Sequence, residues 1–245
     1  MSQLVDLAAA KEFMKETLSR VTREELTAIA ADLELKSSLF QQYLLPESID
    51  GLAEAGLQEI LKSVFATRRR RKEILEAHPF DTHKDAIRNL LYSPEAVEKR
   101  FQQFITKLDG VDRVIATDLA GEILHFTHPD RYWLWSRWMW DVKKKTGAIA
   151  LVTTEGFDLA GESEGEVYLK VGKGVAFTHS IGEAADFQFI SRTLFGTDVF
   201  LSCVYVVYAY TVLRMRMTQE FNKVMPGLPE FSRRLLGVYK LPQAA

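Results

Sequence analysis

Glycine is nearly absent from the first half of this 245-residue chain, and this absence constrains the fold most. The first 109 residues contain two glycines, Gly51 and Gly56, whereas seven glycines lie between Gly147 and Gly182. Glycine suits turns and irregular segments, and inside a helix it is less favourable than alanine by roughly 0.5–1 kcal/mol. The distribution therefore predicts regular helices in the first half and an irregular middle at 147–182.

Helix-start signals support this prediction. Thr22-Arg23-Glu24-Glu25 matches a capping box, and Ser93-Pro94-Glu95 matches an N-cap followed by proline at the first helical position. A further helix is expected from Arg113 to Phe126, before Pro129. The apolar stretch from Val199 to Leu213 has 15 residues, fewer than the roughly 20 that cross a bilayer, so it predicts a core helix.

The glycine-rich middle permits two interpretations. Val167, Leu169 and Val171 alternate with polar residues, and Gly172-Lys173-Gly174 suits the turn of a β-hairpin. The spacing of Val167, Val171 and Val175 fits a helix equally well. The sequence therefore predicts a mainly α fold, a single compact multi-helix domain over 1–245 with a subdivision expected, if anywhere, near 141–165. Its middle, 147–182, has room for a short hairpin.

Composition excludes several classes of protein. Lys and Arg total 31 against 33 for Asp and Glu, a formal net charge of −2, which excludes a whole-protein polycation. Cys203 is the sole cysteine, so neither an intrachain disulfide nor a cysteine-based zinc site can form. The sequence begins without a basic segment followed by an apolar one, so we expect a cytoplasmic protein with no membrane partner.

The four tryptophans lie within eight residues. On a helix, Trp133 and Trp140 would share one side, and Trp135 and Trp138 would lie nearly opposite. The rings would then form two opposed pairs rather than one stacking platform for bases. Each ring can bury on the order of 150–250 Å², so we expect one pair in the core. The other pair would pack under the glycine-rich middle or anchor a partner, which makes all four tryptophans candidate partner-binding residues.

A segment of about residues 108–140 resembles helix-hairpin-helix DNA glycosylases and restriction-associated helical proteins. The similarity rests on LDGVDRVIA from Leu108 to Ala116 and EILHFTHPDRYWLWSRW from Glu122 to Trp138. It implies two helices joined by a hairpin whose amides approach a DNA phosphate, with Gly110 as the matching glycine.

Two functional positions depart from that family. Asp112 stands where the second hairpin glycine belongs. At the position of the catalytic aspartate the chain has Ser136, and Asp141 fits only in a shifted register. The resemblance therefore implies a retained scaffold without base-excision chemistry.

One strong basic run, Arg68-Arg69-Arg70-Arg71-Lys72, offers a second hold on nucleic acid. Five consecutive residues on a helix point in all directions, so they cannot all face one duplex, and Glu73 and Glu76 offset part of their charge. The alternative is a solvated helix end. The candidate nucleic-acid-binding residues are Arg68, Arg69, Arg70, Arg71, Lys72, Gly110 and Arg113.

A metal site is a third hypothesis. Asp118, Glu122 and His125 are spaced at i, i+4 and i+7, and His128 follows three residues later. Glu122-x-x-His125 is the spacing of helical di-iron sites, which also need a second such pair that this chain lacks. The alternative is that Asp118 and Glu122 are solvated residues flanking an apolar stripe.

The chain offers few of the usual catalytic motifs. It contains no phosphate loop, and His179-Ser180 is only a local pair. Our first hypothesis is therefore a non-enzymatic helical accessory protein that binds another protein or itself, with no catalytic residue and no cofactor. The alternatives are a DNA-associated protein on the helix-hairpin-helix scaffold and a metal-dependent enzyme.

Overall fold

A computed structural model describes residues 5–182, 193–216 and 226–239. Within these ranges the chain forms eleven α-helices and no β-strand, which confirms the predicted mainly α class. The helices are α1 (Leu7–Leu18), α2 (Arg23–Leu44), α3 (Glu54–Ser63), α4 (Arg71–Ala77), α5 (Phe80–Tyr92), α6 (Val97–Lys107), α7 (Arg113–Thr127), α8 (Ala148–Val152), α9 (Glu164–Ser180), α10 (Gly196–Arg216) and α11 (Leu228–Leu235).

Two of the three helix starts predicted from the sequence are confirmed. Thr22 and Glu25 form the predicted capping box, with reciprocal amide bonds of 2.9 and 3.2 Å. Helix α7 runs from Arg113 as predicted and ends one residue later than expected, at Thr127. The start predicted at Ser93 is wrong, because Ser93 caps the end of α5 and α6 begins at Val97.

The hairpin interpretation of the middle is corrected, since α9 occupies Glu164–Ser180. Val167, Val171 and Val175 are buried along the helix, as the helical spacing required. Its glycines serve close packing rather than turning. A Cβ on Gly165 would overlap the backbone of Glu98, and one on Gly174 would lie 2.8 Å from the side chain of Ile149.

The chain divides into two compact units. The first comprises the described residues within 1–33, 138–157 and 174–240. Its longest helix, α10, packs against α1, α8 and α11. Val199, Phe200 and Val204 on α10 are fully buried, which confirms the prediction of a core helix in this stretch. No helix in the described part has the length and apolar composition required to cross a bilayer.

The second unit comprises residues 34–137 and 158–173. Helices α5, α6 and α7 pack on one another, and α3 packs on α4. Phe101 of α6 stacks on Tyr168 and on Trp135, with ring centroids 4.6 and 5.6 Å apart. The buried guanidinium of Arg100 donates to the carbonyls of Leu90 and Leu91, at 2.6 and 2.9 Å, and so satisfies the last turn of α5.

Candidate functional site

The basic run lines a cleft of the second unit. Helix α4 begins only at Arg71, so residues 68–70 belong to the turn that follows α3 rather than to a helix. Arg68, Arg69 and Arg71 line one cleft of about 380 Å³, together with Lys72, Glu54, Gln58, Leu75 and Glu76. The expectation that all five cations lie on a helix is therefore wrong for Arg68, Arg69 and Arg70.

Buried residues on either side hold this turn in place. Val64 and Thr67 are fully buried, and the Thr67 hydroxyl donates to the carbonyl of Leu61 at 2.6 Å. The Arg70 amide donates in turn to the Thr67 carbonyl at 2.8 Å. On the other side, buried Ile74 anchors the first turn of α4. Of the arginines between these anchors, Arg68, Arg69 and Arg71 line the cleft.

The cleft carries positive charge that its own acids do not fully offset. Among the residues the structure describes, Arg68, Arg69 and Arg71 have no carboxylate within ion-pair distance. Lys72 lies 3.7 Å from Glu76, but both side chains are highly exposed, so this contact is weak. Arg70 pairs with Glu73 at 3.4 Å and does not line the cleft.

Phe65 adds an aromatic surface beside these cations. It lies in the turn after α3 and is 41% exposed, while the Arg68 guanidinium carbon lies 6.0 Å from its ring centroid. Arg68 thus lines the cleft and also lies beside the Phe65 ring. Phe65 was not among the residues predicted from the sequence. The signal for it is an aromatic residue three positions before the basic run, in a segment where a surface turn is not expected.

The predicted hairpin residues lie elsewhere. Gly110 adopts a φ of +88° in the turn between α6 and α7 and is surrounded by open space. The Asp112 carboxylate accepts from the amides of Val114 and Ile115, at 3.0 and 3.2 Å. Asp112, which stands where the family has the second hairpin glycine, therefore caps the start of α7. Arg113 is engaged by both carboxylate oxygens of Glu164.

The metal hypothesis finds no matching geometry. In the described part of the chain, no group of three or more His, Cys, Asp and Glu side chains is arranged to bind a metal ion. Glu122 forms a buried ion pair with Lys36. Asp118 accepts from the amide and Nε of Arg137, at 2.7 and 2.6 Å.

The two histidines of that hypothesis do not complete a site either. His125 Nδ1 donates to the carbonyl of Tyr132 at 2.7 Å, and His128 caps the end of α7. The alternative expectation of solvated acids is also wrong, since Asp118 and Glu122 are both buried. Protein cations and a carbonyl therefore satisfy Asp118, Glu122 and His125.

The four tryptophans do not lie on a helix, because 128–147 is irregular. Trp135 and Trp138 are buried, whereas Trp133 and Trp140 are half-buried. Trp133 and Trp135 belong to the second unit and Trp138 and Trp140 to the first. Of the four candidate partner-binding tryptophans, Trp135 and Trp138 thus belong to the cores of their units, whereas Trp133 and Trp140 are partly exposed.

Comparison of the chain with protein-family models, with curated proteins and with solved structures finds no match.

Proposed function

We propose that this protein binds nucleic acid by holding phosphate groups in the basic cleft. The observation that carries the proposal is that Arg68, Arg69, Arg71 and Lys72 line one cleft, and that the three guanidiniums have no carboxylate within ion-pair distance in the described residues. The planar guanidinium fork matches the geometry of a phosphate and can donate two hydrogen bonds to it.

The overall charge is consistent with a local site. At a net charge of −2 the molecule as a whole does not attract a polyanion, so attraction must come from this cluster. A carboxylate-rich peptide offers similar charge to the arginines. Exposed Phe65 beside Arg68 favours nucleic acid over such a peptide, because bases present flat faces to an aromatic ring.

Charge-removing variants test the proposal. Arg69→Ala and Arg71→Ala should each weaken binding of a fluorescent 12-nucleotide strand by about 10- to 100-fold, because each removes charge-assisted hydrogen bonds. Arg70→Ala is the matched control, since Arg70 belongs to the same run but faces Glu73. Fluorescence anisotropy measures the affinities. Equal loss in all three variants, or tighter binding of polyglutamate than of the strand, would overturn the proposal.

The salt dependence gives a second readout. Four cations in one cleft can neutralise two or three phosphates, so the slope of log K against log [salt] should be roughly −1.4 to −2.1 for a single strand. Arg71→Ala should reduce the magnitude of this slope by about one phosphate equivalent, ~0.7. A slope near zero would mean that no phosphate is held.

Association with a protein partner or with a second copy is the other candidate function. Trp140, which is partly exposed, and Val142, which is 45% exposed, lie in the same segment of the first unit. If this segment anchors a partner, Trp140→Ala should abolish a dimer seen by analytical ultracentrifugation without changing the far-UV circular dichroism. A parent protein that stays monomeric would exclude self-association. The cytoplasmic location expected from the sequence is part of either proposal.

A further inference from the structure

Phe65 is exposed in a place where the local backbone is firmly held. Its neighbour Val64 is fully buried, and Thr67 two residues later is fixed by its bond to the Leu61 carbonyl. The ring therefore projects from an anchored turn rather than from a loose loop. With 41% of its surface accessible and the Arg68 guanidinium 6.0 Å away, it presents a ring next to a cation.

We infer that the nucleic acid is single-stranded and that an unpaired base stacks on Phe65 and Arg68 while its phosphate lies in the cleft. This inference rests on the proposed function and adds the class of strand. Arg68 connects the two parts, because it lines the cleft and also faces the Phe65 ring. One residue can therefore hold a phosphate near the position where the ring holds a base.

The stacking requirement excludes a duplex from this site. In a duplex both faces of each base are covered by neighbouring base pairs, so an aromatic ring gains access only to an unpaired base. The cleft is also small and concave. About 380 Å³ accommodates one or a few backbone groups but not the width of a duplex.

Stacking on a ring does not distinguish strongly between bases, because every base has a flat aromatic face. The described residues around the cleft offer one side-chain amide, Gln58, for reading a base edge. Binding should therefore tolerate changes of sequence. Oligonucleotides of equal length and different composition should bind with similar affinities.

The test compares three probes of equal length: a single strand, the same strand in a duplex, and a strand whose sugars carry no bases. Each is titrated against the full chain by anisotropy at fixed salt. The parent should bind the single strand at least 5-fold more tightly than either of the others. Base stacking is worth about 5- to 150-fold per base, so the loss of bases should be measurable.

Variants of Phe65 distinguish base stacking on an aromatic ring from contact with any apolar side chain. Phe65→Ala and Phe65→Leu should lose the preference for the strand with bases, and Phe65→Trp should keep it. Because the ring is substantially exposed, these variants should retain the parent's melting temperature. Phe65→Trp also supplies a spectroscopic signal, since its fluorescence should be quenched by a bound base and not by the strand without bases.

The outcomes distinguish the two claims. If the arginine variants weaken binding but the duplex and the strand without bases bind as well as the single strand, the proposed function stands and this inference fails. If no probe shows salt-dependent binding, the proposed function fails. Phe65→Leu that retains the full preference for bases would also overturn the inference.

Discussion

Lys36 and Glu122 form an ion pair in the second unit with both side chains at most 3% exposed. The Lys36 ammonium lies 4.2 Å from the centroid of the Phe126 ring and 5.9 Å from that of Phe40. The Ser37 hydroxyl donates to the Phe126 carbonyl at 2.8 Å, which fixes the same turn of α2 against α7. The pair therefore has aromatic and hydrogen-bonded surroundings rather than water.

Removal of one member of this pair should destabilise the fold strongly. At pH 8, Lys36→Met should lower the free energy of unfolding by about 3–5 kcal/mol, because Glu122 is left buried without its cation. The double variant Lys36→Met, Glu122→Leu should recover most of this loss, since no charge is then buried. Urea denaturation measures both. A double variant no more stable than Lys36→Met would contradict this account.

The same site predicts a pH dependence. Burial raises the pKa of Glu122 from 4.5 to about 7, against the opposing effect of Lys36; Asp118 raises it further and His125 lowers it. Between about pH 4.5 and pH 7, the Glu122 carboxyl keeps its proton in the folded protein, whereas the same group has released it in the unfolded chain. The free energy of unfolding should therefore fall as the pH rises from about 4.5 to about 7, by about 3 kcal/mol in total, and then level off.

Glu122→Gln isolates this contribution. The variant cannot titrate at this position, so the difference between its pH profile and that of the parent should contain the fall between about pH 4.5 and 7. Urea denaturation at half-unit pH steps measures both profiles. Parallel profiles would show that Glu122 does not titrate in this range.

At the scale of the elements, the backbone of α7 at Gly121 lies directly against the backbone at Trp135, with no side chain between them. Gly121 lies against Trp135, and a Cβ at this position would overlap the Trp135 carbonyl oxygen. Trp135 in turn stacks on Phe101 of α6. Gly121 thus allows the backbone of 133–137 to lie directly on α7, which brings Arg137 to Asp118.

Gly121→Ala should therefore lower the free energy of unfolding by about 1–3 kcal/mol, because a backbone segment must move to accept the methyl group. Gly51→Ala is the matched control in the same unit, since nothing lies within 4 Å of its added Cβ. It should change stability by less than about 0.5 kcal/mol. Thermal denaturation of the two variants side by side measures the difference, and equal stabilities would contradict the close approach.

At the scale of the whole molecule, two continuous helices belong to both compact units. The boundary at residues 33 and 34 falls inside α2, and that at residues 173 and 174 falls inside α9. The single domain predicted from the sequence stays a prediction.

We therefore expect one cooperative unfolding transition. Hydrogen exchange in increasing urea should give the same limiting free energy for amides of α10 in the first unit and of α5 in the second. Mass spectrometry of the corresponding peptides measures this. Two separate limits would show that the units unfold independently and would overturn the single-domain prediction.

The sequence predicted features that depend on neighbouring residues. The capping box at Thr22, the span of α7 and the helical α10 followed from local hydrogen bonding and apolar spacing. The errors came from longer-range packing. Gly172-Lys173-Gly174 suits a turn in the sequence, whereas in α9 Gly165 and Gly174 admit contacts from residues far away in the sequence.

The candidate site shows the same division. The sequence identified Arg68 to Lys72 as the place where nucleic acid could be held, because a run of consecutive cations is visible in the sequence itself. It did not show that four of these side chains share a cleft with Phe65 beside it. That depended on where α3 ends and on the bond from Thr67 to Leu61, which place Arg68 and Arg69 in a turn before α4 begins at Arg71.

The sequence by itself thus determined the helical class, because capping and periodicity act within a few residues. The tertiary structure decided how the charged groups are used. Lys36 is 86 residues from Glu122 and neutralises the acid that the sequence offered to a metal, and Arg137 does the same for Asp118. Such pairings arise only when distant segments come together, because the energy of burying a charge depends on every neighbour it meets.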